Sequence, residues 1–260
     1  MRTTRLLAVT LTLLAGFAAA AFYPVLPRAA RLAIMGLWCR VVLAALGVRL
    51  EMEGSLSEGP TLLVANHVSW LDVLAINALR PCVFVCKSEI AGWPALGWLL
   101  ERVGTLFLVR GNARSAARTV ESAARCLRSG VSVGVFPEGT SSNGDQVLPF
   151  SPALFQAALE AGCPVQPLAL GYNSYAAVYA GDTPFGESLL AVAGARDLRV
   201  TLSVLPALAG ADRGDAALRA HELIALRLRL GTFPAESGHE FDDASQGRLV
   251  AVQGGHPGLV

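Results

Sequence analysis

From Leu6 to Pro27 the sequence reads LLAVTLTLLAGFAAAAFYPVLP, without one charged side chain. A helix of about 20 apolar residues spans the hydrocarbon of a bilayer, so this run is long enough. Arg2 and Arg5 before it, and the alanines at 18–21, also fit a cleavable secretory signal. Signal cores run about 7–15 apolar residues, which is shorter than this stretch. A second apolar segment, 29–48, carries Arg31 and Arg40 and is followed by Arg49. Pro24 and Pro27 separate the two segments, because proline breaks a helix and restricts the residue before it. The pattern predicts a helical hairpin, or a span followed by an interfacial helix, retained as a membrane anchor over residues 1–50. Arginines flank the first segment on both sides, so the positive-inside rule sets no orientation.

Composition agrees with a folded chain that meets lipid. Hydrophobic residues make up 53% of the 260 and charged residues only 16%; the mean hydropathy is +0.49. That excludes a mostly disordered chain. With 21 basic against 20 acidic side chains the net charge is +1, which removes the electrostatic argument for nucleic acid as a partner. Lys87 is the sole lysine. Five scattered cysteines, Cys39, Cys82, Cys86, Cys126 and Cys163, form no CxxC pair and no zinc-ligand spacing. They read as reduced thiols facing the cytosol, mostly in core positions.

A globular part is expected from residue 51, where EMEGSLSEGP brings the first polar, turn-rich stretch. Strands are predicted at 61–65, 82–86, 105–109, 131–136, 165–170 and 199–205, nearly continuous apolar runs of the kind a sheet buried on both faces requires. Between them, apolar residues at 113, 116, 117, 120, 123, 124 and 127 keep the helical period, and Gly130 stops it. A helix after Ser151, with Pro152 at its first position and Gly162 past its end, follows the same rules. Residues 213–230 form a last helix. The fold class is therefore α/β, a mostly buried sheet flanked by helices and preceded by the hairpin. The domains are expected as the anchor 1–50, a globular domain 51–230 and an aperiodic, flexible tail, 231–260.

Of four histidines, His239 and His256 lie in the tail and His221 in the last helix. His67 directly follows a buried strand, where α/β proteins commonly place ligand-binding groups. Asp72 comes five residues later. On one ideal helix the two would stand about 140° apart, so they meet only if His67 lies in the turn and Asp72 in the first turn of the next helix. Ser69, three residues before Asp72, fits a capping box and favours that arrangement. The bland alternative is a capping carboxylate and a satisfied loop histidine. The chemical alternative is a general base whose Nδ1–H is held by a carboxylate. No Ser or Cys is marked as nucleophile, so the nucleophile would belong to the substrate. Residues 136–144, FPEGTSSNG, read alone as a tight turn. Lys87 and Arg110 each follow a strand, as solvated strand ends or as two cations converging on an anionic head group.

Taken in order, these clusters resemble the glycerolipid (lysophosphatidic acid type) acyltransferase family. Asn66-His67-Val68-Ser69-Trp70-Leu71-Asp72 matches its NHxxxxD block, and Gly104–Arg110 its G-x-[IL]-F-[IL]-x-R block. Phe136-Pro137-Glu138-Gly139-Thr140 matches FPEGT, and Val165-Gln166-Pro167-Leu168 resembles the fourth block, a strand with an internal proline. Lys87-Ser88-Glu89 falls at a further K-x-E/H segment. The likeness covers roughly 55–210.

The resemblance implies an O-acyltransferase, with 51–230 as its acyltransferase domain, that moves a fatty acyl group from acyl-CoA or acyl-carrier protein to a lysolipid hydroxyl. His67 would be the general base and Asp72 its partner. Arg110, supported by Lys87, would bind the acceptor's phosphate or other anionic head, and Glu138, Gly139 and Thr140 would shape the acceptor site. No metal or bound cofactor is expected. The partners are the lysolipid, the thioester donor and the bilayer, with the catalytic domain facing the cytoplasm. The first-choice acceptor is 1-acylglycerol-3-phosphate, giving phosphatidic acid. Members acting on it usually continue FPEGT with Arg, whereas here Ser141 follows. Relatives that acylate lyso-ornithine lipid share that variation, so this acceptor stays open. So does a membrane-anchored lipid-binding protein that keeps the fold without turnover.

Overall fold

The computed structural model describes residues 2–209 and 212–230. The tail expected at 231–260, with His239 and His256, lies outside them. Two helices, α1 (Arg2–Phe22) and α2 (Arg28–Leu46), form the hairpin. Pro24 sits in a 3-10 turn over Tyr23–Val25, and Pro27 immediately precedes α2. By length and composition both helices could cross a membrane. Trp38 Nε1 of α2 donates to the Thr12 carbonyl of α1 at 3.0 Å, tying the pair together.

Among the described residues seven strands follow: β1 (Arg49–Glu53), β2 (Leu62–Ala65), β3 (Val83–Lys87), β4 (Leu106–Leu108), β5 (Val133–Val135), β6 (Val165–Tyr172) and β7 (Arg199–Val204). They form one sheet in the order β1-β7-β6-β2-β5-β3-β4. Every neighbouring pair is parallel except β6 and β7. The helices are α3 (Leu71–Leu79), α4 (Leu96–Arg102), α5 (Ala113–Arg128), α6 (Gln156–Ala161), α7 (Phe185–Gly194) and α8 (Arg213–Leu230).

The side chains of β2 explain the layering. Successive residues of a strand point to opposite faces. Leu63 and Ala65 pack with α1, α2, α3 and α7. Leu62 and Val64 pack with α5, α6 and α8 on the other face. Fully burying each of the leucine and valine side chains among them contributes about 1.5–3 kcal/mol. The five cysteines are free, with Cys39 and Cys82 buried. Burial pushes the Cys86 thiol up to about 11 and Cys82 further, so neither is a ready nucleophile.

All six expected strands are present. A seventh, β1, lies across the start of the polar stretch taken as a boundary. It is an edge strand paired to β7 alone and mostly exposed, so it needs no continuous apolar run. The helix expected from Pro152 opens instead as a 3-10 turn, Ala153–Phe155, before α6, with no side-chain cap. The backbone N–H of Ser151 is committed elsewhere, to the Pro137 carbonyl at 3.0 Å. Because β2 to β6 run the same way, their carboxyl ends share one edge, and the turns that follow meet there.

Candidate active site

The turn after β2 is built by its first residue. The side-chain amide of Asn66 accepts the Leu170 N–H at 2.8 Å and donates to the Leu170 carbonyl at 3.0 Å. The last backbone pair between β2 and β6 is Ala65 with Leu168, so Asn66 continues the ladder with a side chain. His67 follows, outside any helix, and Asp72 sits in the first turn of α3. His67 Nδ1 lies 2.8 Å from Asp72 Oδ2. The same oxygen accepts the Val68 and Ser69 N–H groups at 2.8 and 2.9 Å. Half of the expected capping box therefore forms, while the Ser69 hydroxyl accepts from Leu71 N–H instead.

The Asp72 side chain is fully buried, whereas that of His67 is 22% exposed. A buried carboxylate accepting three donors on one oxygen fixes the proton on His67 Nδ1. Nε2 is left as an acceptor, with no hydrogen-bond partner among the described residues. Phe136 lies under the ring, with centroids 4.0 Å apart and planes 11° apart, and Phe84 stacks in turn on Phe136 at 5.4 Å. Gly134 makes room for this stack. A Cβ there would come within 2.6 Å of the Phe84 ring.

The Phe136–Thr140 turn locks onto the histidine turn from the other side. Glu138 Oε1 accepts the His67 backbone N–H at 2.9 Å and Oε2 the Leu148 N–H at 3.2 Å. Ser142 N–H donates to the His67 carbonyl at 2.8 Å. Burial raises the Glu138 carboxyl to about 7 against the pull of those two N–H groups. Gly139 takes φ +72°, a conformation that strains any residue with a side chain. A Cβ at that position would lie 3.9 Å from Arg110 Nη2. The guanidinium of the second block thus stands directly beside the third.

Lys87 ends β3 and pairs in register with Leu108, two residues before Arg110. Both are exposed and make no ion pair among the described residues. Both cations also act on Glu89, whose carboxyl is lowered first by its own backbone N–H. Thr140 is exposed, its hydroxyl donating to the Ser141 carbonyl at 3.4 Å. The expected site residues therefore gather at one sheet edge. His221 does not join them. Its Nε2 donates to the Val147 carbonyl at 3.2 Å, and its ring meets Phe150 edge to face.

Sequence reasoning passed over three contributors: the stacking role of Phe136, the ladder role of Asn66, and Tyr172. The Tyr172 hydroxyl donates to Asp72 Oδ1 at 2.5 Å from the end of β6. Its place on the strand of the fourth block, at the same edge as His67, was the available signal.

Comparison with known proteins meets this geometry. The family model described as Acyltransferase matches residues 48–171. The chain is 36% identical over 200 residues to the lyso-ornithine lipid O-acyltransferase of Pseudomonas aeruginosa, covering 74% of this chain and 76% of that protein. It is 42% identical over 135 residues to the 1-acyl-sn-glycerol-3-phosphate acyltransferase of Neisseria meningitidis serogroup B, covering 51% and 53%. In fold it is similar to the crystal structure of the 1-acyl-sn-glycerophosphate (LPA) acyltransferase PlsC from Thermotoga maritima. That likeness has a TM-score of 0.63 at 23% identity over 88% of this chain and 97% of the other. Through its identity over about three quarters of a named relative and its matched family region, the chain belongs to the acyltransferase family and is an acyltransferase enzyme.

Proposed function

We propose that the protein transfers a fatty acyl group from an acyl thioester, on CoA or acyl-carrier protein, to the free hydroxyl of a lysolipid. The observation that carries this reading is the His67–Asp72 pair, whose Nε2, without a hydrogen-bond partner among the described residues, stands at the same edge as Arg110. Nε2 takes the proton of the acceptor hydroxyl, and the oxygen attacks the thioester carbonyl. The tetrahedral intermediate collapses with cleavage of the C–S bond. The imidazolium returns its proton to the leaving thiolate, so ester and thiol are the products and the histidine is regenerated. Asp72 steadies the imidazolium without itself taking the proton.

Arg110, with Lys87, holds the acceptor's anionic head, while Glu138, Gly139 and Thr140 form the wall beside it. An acceptor of the 1-acylglycerol-3-phosphate type suits two cations without an ion-pair partner among the described residues. Ser141 and the P. aeruginosa relative favour lyso-ornithine lipid as the second reading. The hairpin holds the site at the cytoplasmic face of the bilayer, where a lysolipid enters sideways. Its packing supports a helix pair lying along the domain. Arg5 donates to the Ala193 and Ala195 carbonyls at the end of α7, and Arg28 donates to the Ser129 carbonyl after α5.

The test is a product assay on membranes carrying the protein, with labelled acyl thioester and both lysolipids offered together. His67→Ala is expected to lose about 10²–10⁴ in rate while remaining folded. Label in phosphatidic acid supports the first acceptor and label in ornithine lipid the second. Wild-type turnover in His67→Ala would overturn the catalytic assignment.

A further inference from the structure

The Asp72 carboxylate is held unevenly. Three donors converge on Oδ2: the His67 ring N–H and the Val68 and Ser69 backbone N–H groups. Oδ1 is met by the Tyr172 hydroxyl alone among the described residues, at 2.5 Å. Tyr172 is 3% exposed. It ends β6 on the face that packs against α2 and α3, after Leu168 and Leu170. Burial, reinforced by the Asp72 charge, holds its hydroxyl well above the usual phenol range, so it stays protonated and donates.

Asn66 places that hydroxyl. Its double hydrogen bond to Leu170 fixes the end of β6 against the histidine turn, two residues before Tyr172. The strand end and the turn are therefore indexed to each other by the first residue of the NHxxxxD block, and the phenol closes the circuit on its last. We propose that Tyr172 is a positioning residue for acyl transfer, acting through Asp72 on the orientation and basicity of His67.

This rests on His67 being the general base. Two consequences follow from a donor on Oδ1. It prevents the carboxylate from turning about its own axis, which would carry Oδ2 away from Nδ1. It also disperses the carboxylate charge, so that Asp72 holds the imidazolium less tightly than a free carboxylate would. The titratable groups facing His67 are Asp72 from α3, Glu138 from the turn after β5, and, through Asp72, Tyr172 from β6. Glu138 is common to all the variants compared, so differences between them isolate Tyr172.

The experiment measures kcat, both KM values and the pH profile of kcat/KM for Tyr172→Phe. The expected result is about a tenfold fall in kcat, with KM for lysolipid and thioester within about twofold. The acid limb of the profile is expected at higher pH, because an Asp72 without its Oδ1 donor retains the imidazolium proton longer. In an Asp72→Asn background Tyr172→Phe should cost nothing further. A fluorinated tyrosine at position 172, a stronger donor of nearly the same shape, should move the acid limb the opposite way; it serves also if the Phe variant folds poorly. An unmoved acid limb in both variants, or additivity with Asp72→Asn, would overturn the proposal. His67→Ala run alongside separates the two readings: turnover there sinks the general base itself, whereas a dead His67→Ala with a wild-type Tyr172→Phe sinks only the role of the phenol.

Discussion

The imidazole of His67 lies flat on the phenyl ring of Phe136, 4.0 Å between centroids. The two residues stand at the ends of β2 and β5, adjacent parallel strands, so one block of the sequence supplies the base and another the surface it rests on. With Asp72 on Nδ1, this stack leaves the ring little freedom except in its own plane. An aromatic pair is worth about 0.5–1.5 kcal/mol beyond the area it buries, which corresponds to roughly two- to tenfold in rate if the stack exists only in the aligned state. Phe136→Leu is expected to lower kcat by that factor, with little change in either KM. Steady-state kinetics checks it, and an unchanged kcat would make the stack incidental.

Arg110 offers a cleaner division between substrates. Its guanidinium stands beside Gly139, without an ion-pair partner among the described residues. A hydrogen bond to a charged group is worth about 1.5–3 kcal/mol, or roughly 10- to 100-fold. Arg110→Ala is expected to raise the acceptor KM by this range while the thioester KM stays within about twofold. Arg110→Lys should recover part of the loss, since lysine keeps the charge without the planar fork. Equal rises in both KM values would remove Arg110 from the head-group site.

The turn carrying Glu138 makes a prediction about stability. Its carboxyl is raised from 4.5 to about 7, chiefly by burial. Between these values the unfolded chain has released the proton that the folded chain still holds. Stability therefore falls as pH rises from about 4.5 through 7, and this contribution is fully present only below the lower value. Melting temperatures over that interval are expected to decline more steeply for the wild type than for Glu138→Gln, which has no carboxyl to titrate. Parallel curves would show that Glu138 is ionised throughout.

Much of this arrangement was legible in the sequence because the central strands β2, β5 and β6 are apolar and buried on both faces, and because the His67 and Asp72 spacing admits a meeting only across a helix start. Periodicity placed α5 for a related reason: one of its faces packs on the sheet. What escaped is physically different in kind. β1 is an exposed edge strand, held by pairing to β7 rather than by an apolar pattern. α4 and α7 are short helices whose positions depend on tertiary packing. Ser151 looked like a cap but its backbone is drawn to Pro137. The Tyr172–Asp72 contact joins residues 100 positions apart, which no local spacing encodes.

The outer face of the hairpin yields the last prediction. Leu7, Leu11, Leu14 and Phe22 follow one another at helical spacing along α1, and each is more than half exposed. They are continuous in kind with exposed Trp93, Leu96 and Trp98 at α4, which α1 reaches through the stack of Phe17 on Trp98 at 6.0 Å. Exposed aliphatic side chains contribute little to the fold, so replacing them costs little stability. Against a bilayer each would gain about 1.5–3 kcal/mol on burial. The triple substitution Leu7→Gln, Leu11→Gln and Leu14→Gln is therefore expected to release the protein from vesicles by several orders of magnitude in partition coefficient, while the melting temperature in detergent changes by only a few degrees. Vesicle flotation and thermal melting together decide it. Undiminished flotation would show that α1 does not turn this stripe toward lipid, whereas collapse of the melting temperature would mean that the stripe is covered by the protein itself.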